Sequence, residues 1–139
     1  MVIWGMDPNR RNLLCAAAAL LAPQFAQAAD APASKTVFEH ALPKVSLEGW
    51  NLTVVEVSYP PGSASPSHRH SGVTVAYVLE GEVRSKVGDQ PEKTYRVGEM
   101  FFENPNELHA VSRNASETKP ARLLALLFAE AGKPITTRA

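Results

Sequence analysis

The chain has 139 residues, room for one domain. Fourteen basic and fourteen acidic residues cancel, and no dense basic run appears, so nothing in the charge pattern suits a nucleic-acid partner. Hydrophobic residues make up 45% and charged residues 20%, the balance of a folded globular protein and not of a disordered one.

The N-terminal stretch differs from the rest. Arg10 and Arg11 precede an uninterrupted apolar run, LLCAAAALLA, from Leu13 to Ala22. Pro23 breaks that run, and Ala26-Gln27-Ala28 offers a small-x-small cleavage site. A basic start, a short apolar centre and such a site read together as a secretory signal peptide over 1–28. The expected location is therefore periplasmic or secreted. The run is short of the ~20 apolar residues of a membrane-spanning helix, so no stable membrane insertion is expected after cleavage. NRRNLL resembles a twin-arginine export signal, although Asn9 and Leu13 depart from the usual residues, and Met6 is a second candidate start. Cys15 is the only cysteine and leaves with the leader. The mature chain then has neither a disulfide nor a thiolate for catalysis or metal binding. Arg10, Arg11 and Asp7 leave as well, giving a net charge near −1.

Residues 29–35 form a short linker of Ala, Asp, Pro and Ser character, and 36–130 hold the domain. Short apolar runs alternate there with turn residues, which is an all-β pattern. LTVVEVSY ends at Pro60-Pro61-Gly62, and VTVAYVLE ends at Gly81. EVRSKV puts Val83, Ser85 and Val87 on one face, and Gly88-Asp89-Gln90-Pro91 then turns the chain. VLEGEV reads as a hairpin through Gly81. TYRV, EMFFE and HAVSR are shorter strands. RLLALLFAE suits either a helix or a fully buried strand by length, and the strand spacing around it favours strand. Residues 131–139 are a C-terminal tail. The expected architecture is a β-sandwich or barrel with little or no helix.

Only four histidines occur, and His68 and His70 sit two apart. On a strand that spacing points both imidazoles to one face while Arg69 turns away. Converging imidazoles suit a transition metal. The spacing continues beyond the pair. Gly62, five residues, His68-Arg69-His70, three residues, Thr74, six residues and Gly81 make one motif; Gly98 and His109, eleven apart and followed by Asn114, make a second.

These two motifs resemble those of the cupin superfamily, small double-stranded β-helix or jelly-roll barrels, and here of the conserved-barrel, quercetin-dioxygenase-like type. The resemblance implies that His68, His70 and His109 hold a divalent transition metal. It points to Fe(II), while histidine ligands equally accept Zn, Ni, Mn or Cu. The family's glutamate ligand falls on Thr74, and its proline and glycine of the second motif fall on Asn104 and Asn106. Three neutral imidazoles without a carboxylate would leave the ion its full double charge. One unit of charge at 4 Å and an effective dielectric near 20 is worth about 4 kcal/mol, so such a site favours an anionic chelating ligand.

Other residues take ordinary readings. Tyr77, Phe101 and Phe102 are core fillers, with alternation sending one phenylalanine inward and the other out. Glu103 reads as an exposed strand-end carboxylate, with acid, base or replacement-ligand roles open to it. Arg69 suits a surface ion pair, and His40 is structural or exposed. The leading functional expectation is an exported three-histidine iron dioxygenase acting on a small anionic chelating substrate. The alternatives are a non-catalytic small-molecule or metal-binding module and a metal-assisted isomerase or lyase. A small-molecule partner and a homodimer are expected.

Overall fold

The computed structural model describes residues 34–139; the expected leader over 1–28 lies outside the described residues. Residues 34–49 precede the first strand. The strands are β1 (Trp50–Tyr59), β2 (His68–His70), β3 (Val73–Glu80), β4 (Glu82–Val87), β5 (Lys93–Arg96), β6 (Met100–Glu103), β7 (Leu108–Asn114), β8 (Ala121–Glu130) and β9 (Thr136–Arg138). RLLALLFAE is thus a strand, and among the described residues no helix is long and apolar enough to cross a membrane. The segment after Glu130, expected as a tail, returns to the barrel as β9.

The strands form two antiparallel sheets, ordered β1-β8-β3-β6 and β5-β4-β7-β2-β9. From β1 to β9 the chain changes sheet at every step except β4 to β5, the winding of a double-stranded β-helix. That exception is a hairpin through the expected turn at Gly88 to Pro91. VLEGEV is not a hairpin, because β3 and β4 belong to different sheets and do not pair. Gly81 turns the corner between them with φ of 69°, and a Cβ there would lie 2.5 Å from the Pro120 carbonyl oxygen. Only glycine meets both demands at low cost.

Alternation along the strands builds the core. Val83, Ser85 and Val87 face inward, as their period of two requires, and oppose Leu123, Leu127 and Phe101 from the other sheet's strands. Phe101 is buried, whereas Phe102 turns outward and stacks on His40 at 4.0 Å between ring centres. Tyr77 is only half-buried and packs on the outer face, so it is not a core filler. Each fully buried aliphatic side chain contributes roughly 1.5–3 kcal/mol, the main force holding a sandwich that lacks disulfides.

Candidate metal centre

The second sheet brings the three histidines together. β2 pairs with β7 so that His68 faces His109 directly, and His70 lies two residues along β2 on the same side. A β-bulge completes the alignment. Val87 pairs with His109 and Lys86 with Val111, so β7 carries one extra residue at Ala110. In a regular strand His109 and Ser112, three residues apart, would face opposite ways; the bulge between them lets both be buried. The loop before β7 is tied to β2 as well. Asn106 donates its backbone N–H to the His70 carbonyl at 2.7 Å, and the Arg69 guanidinium donates to the Asn106 carbonyl at 2.6 Å. Arg69 therefore braces a turn and, among the described residues, makes no ion pair. Asn106 has φ of 62°, a left-handed conformation that asparagine tolerates, so it does the work expected of glycine in the second motif.

One ligand atom from each of His68, His70 and His109 lies within 4.8 Å of the others. Two nitrogens on opposite sides of one ion stand about 4.2 Å apart, so small side-chain rotations bring all three into coordination range. The remaining ring nitrogens are engaged elsewhere. His68 Nδ1 meets the Pro66 carbonyl at 2.7 Å, and His70 Nδ1 meets the Ile135 carbonyl at 2.9 Å with Thr136 Oγ1 at 3.0 Å. Carbonyls only accept, so both Nδ1 atoms carry the proton and both Nε2 lone pairs are left for a metal. His109 Nε2 bonds Ser85 Oγ at 2.8 Å, leaving Nδ1 toward the site. Burial, helped by the two neighbouring imidazoles and opposed by the Pro66 hydrogen bond, holds His68 below its ordinary pKa of 6.5. A neutral ligand is the consequence.

The site is not free of carboxylate. Glu103, expected to be exposed, is buried at 2% exposure, with Oε2 3.1 Å from His109 Nδ1 and 3.8 Å from His70 Nε2. Its strand, β6, is the edge of the first sheet, so the carboxylate reaches the histidines from the opposite wall. Among the described residues neither Glu103 Oε2 nor His109 Nδ1 has a hydrogen-bond partner; the 3.1 Å contact is close but misaligned. Buried, unsatisfied acceptors beside three free imidazole nitrogens fit a bound divalent cation. Thr74 also faces inward, opposite Glu103 across the β3–β6 pair, with its hydroxyl unpartnered. The one sequence signal for Glu103 is EMFFE: inward parity with Phe101 marks it, and its position at the strand end hides it.

Beside this cluster opens a cavity of about 480 Å³. His68, His70 and Glu103 lie at one side, and Val55, Val57, Leu123 and Leu127 form much of its apolar wall. Tyr59, Ser65 and Ser112 supply a hydroxyl chain, with Tyr59 Oη 2.8 Å from Ser112 Oγ. The terminal segment contributes Ile135, Thr136 and Arg138.

Two sheets wound as a double-stranded β-helix around a histidine cluster define a metal-binding barrel of the cupin type. A family model described as a cupin domain matches residues 55–127, more than half of the chain, and the chain belongs to that family. A search of curated proteins finds no match. Among solved structures, the DMSP lyase DddQ from Ruegeria pomeroyi superposes with a TM-score of 0.55 at 20% identity, covering 63% of this chain and 43% of the lyase. Oxalate decarboxylase from Lactobacillus farciminis gives 0.53 at 15% identity, covering 63% of this chain and 26% of the other. The TT1209 protein from Thermus thermophilus gives 0.50 at 34% identity, covering 57% and 72%. The likeness to the lyase and the decarboxylase is one of fold, and this chain spans less than half the length of either.

Proposed function

We propose that the protein is a metal-dependent cupin that holds a small molecule in its barrel, with catalysis, where it occurs, being metal-assisted isomerisation or bond cleavage without oxygen. The observation that carries this reading is the cavity of about 480 Å³ that opens directly on His68, His70 and Glu103. Its size suits a small ligand. Its aliphatic wall suits an apolar body, and its polar end suits an oxygen-bearing head. His68, His70 and His109 would hold the ion, which when bound supplies a Lewis acid and a template. The Tyr59, Ser65 and Ser112 hydroxyls orient polar groups deeper in the cavity.

The dioxygenase reading is second. It supposes a carboxylate-free site, whereas Glu103 places a carboxyl group beside the histidines. The case for a strongly anionic ligand weakens for the same reason. Named neighbours that cleave small molecules, a DMSP lyase and an oxalate decarboxylase, are in keeping with chemistry of the first kind. Metal identity is part of the proposal: Zn, Ni, Mn or Cu stand beside Fe(II). The test is a panel of small carboxylates, diketones and phenols added to protein reloaded with each metal. Stabilisation or turnover that requires metal and leaves dissolved oxygen unchanged supports the proposal. Oxygen uptake dependent on substrate and Fe(II) establishes the dioxygenase instead.

We further propose export through the 1–28 leader, which a mature N-terminus near Ala29 in protein from the periplasm or medium would establish. A homodimer is proposed through the outer face of the first sheet, where Leu52 and Val54 are 54% and 51% exposed. Sedimentation of the wild type against Val54→Lys tests it.

A further inference from the structure

We infer that Glu103 is itself a ligand of the ion, so that the centre is completed by a carboxylate from the first sheet opposite the three histidines of the second. This inference rests on the metal-site reading above and adds one residue to it.

Glu103 Oε2 is buried, has no hydrogen-bond partner among the described residues and stands 3.1 Å from His109 Nδ1, which has none either. His70 Nε2 stands 3.8 Å away, and the proton of that ring is held at Nδ1 by the Ile135 carbonyl. With Ser85 Oγ accepting the Nε2 proton of His109, lone pairs face lone pairs in a buried space. Such atoms repel unless a proton or a cation lies between them, and the misaligned contact removes a shared proton in a hydrogen bond. A divalent cation satisfies all of them at once. The 3.1 Å separation agrees with that solution, since ligands on adjacent corners of an octahedron with bonds near 2.1 Å are about 3.0 Å apart and tetrahedral ligands about 3.4 Å; the 3.8 Å separation to His70 needs a small side-chain rotation.

Topology explains how the carboxylate arrives there. Thr74 and Glu103 are direct partners across β3 and β6, and both point into the barrel. Side chains of such a pair begin about 5 Å apart, so a carboxylate based at either position reaches much the same space. A threonine at 74 leaves room, and the longer glutamate opposite fills it. The consequence is a net charge of +1 at the centre, not +2, and one fewer open coordination position for a small molecule.

The probe is Co(II), added to the metal-free full chain. Wild type and Glu103→Gln are compared by chelator competition and by infrared difference spectra with and without the ion. The wild type is expected to show carboxylate bands on Co(II) binding that vanish in Glu103→Gln, with affinity falling about tenfold or more. The combination of Thr74→Glu with Glu103→Thr should restore both the bands and much of the affinity. Equal affinity and unchanged spectra in Glu103→Gln overturn the inference and leave a three-histidine site. A lower affinity with unchanged carboxylate bands also overturns it, because Glu103 would then only position His109. Absence of Co(II) binding by the wild type would instead overturn the metal reading itself.

Discussion

Asn114 offers the clearest test of what holds the barrel closed. Its side chain is 1% exposed, at the end of β7. Nδ2 donates toward the carbonyls of Tyr59, Pro60 and Lys119 at 3.1, 3.1 and 2.8 Å, and Oδ1 accepts the Ser116 N–H at 2.9 Å. One amide therefore ties the end of β1, the end of β7 and the loop leading to β8. Asn114→Ala removes every one of these bonds and leaves buried backbone groups without partners. At about 1 kcal/mol for each bond, the loss is about 3–4 kcal/mol, a large share of the ~5–15 kcal/mol that stabilises a typical domain. Urea denaturation of metal-free protein should show a lower midpoint with an unchanged slope, and the melting temperature should fall by on the order of 10–20 °C. Metal binding by the folded fraction should persist, since Asn114 holds the strand and does not face the ion. A loss under about 1 kcal/mol would refute the assignment of Asn114 as the tie between these segments.

Gly81→Ala should cost more than about 1 kcal/mol in the same assay, because it combines a positive φ with a Cβ that meets the Pro120 carbonyl; a neutral effect would show that the corner between the sheets is pliable. Metal-free protein should lose stability as pH falls below 6.5, because burial holds folded His68 below that value and the unfolded chain takes up the proton first. The decline should continue to the lowered folded pKa and be shallower in His68→Gln, and identical melting profiles from pH 7.5 to 5.5 would contradict it. Ala125→Phe projects a ring into the cavity that Ala125 lines. Co(II) affinity should be retained while metal-dependent stabilisation by small molecules disappears, and retained ligand binding would place the ligand elsewhere.

Much of the fold was legible because it follows from alternation. The β-branched runs, the phase of Val83, Ser85 and Val87, and the opposite facing of Phe101 and Phe102 depend only on the period of two along a strand. The three histidines were legible from spacing. Other features depend on which strands become neighbours, and local sequence does not carry that. VLEGEV has the composition of a hairpin, and only sheet membership shows that Gly81 joins two layers. The extra residue at Ala110 resets the phase of β7 so that Ser112 and His109 agree. Glu103 ends a short strand before a turn, a position that is usually solvated. It is buried because β6 lies across the barrel from β2 and β7. Arg69 followed the same logic: its direction away from the metal was readable, and its partner, a backbone carbonyl 37 positions along, was not.

Direct measurement of bound metal decides whether His68, His70 and His109 together hold one divalent ion. Metal content and Co(II) affinity of untagged protein should be measured for the wild type and for each single histidine-to-alanine variant. About one ion for each wild-type chain is expected, with a severe loss in all three variants and folding of the metal-free proteins verified by circular dichroism. Full occupancy in any one of the three folded variants would contradict it.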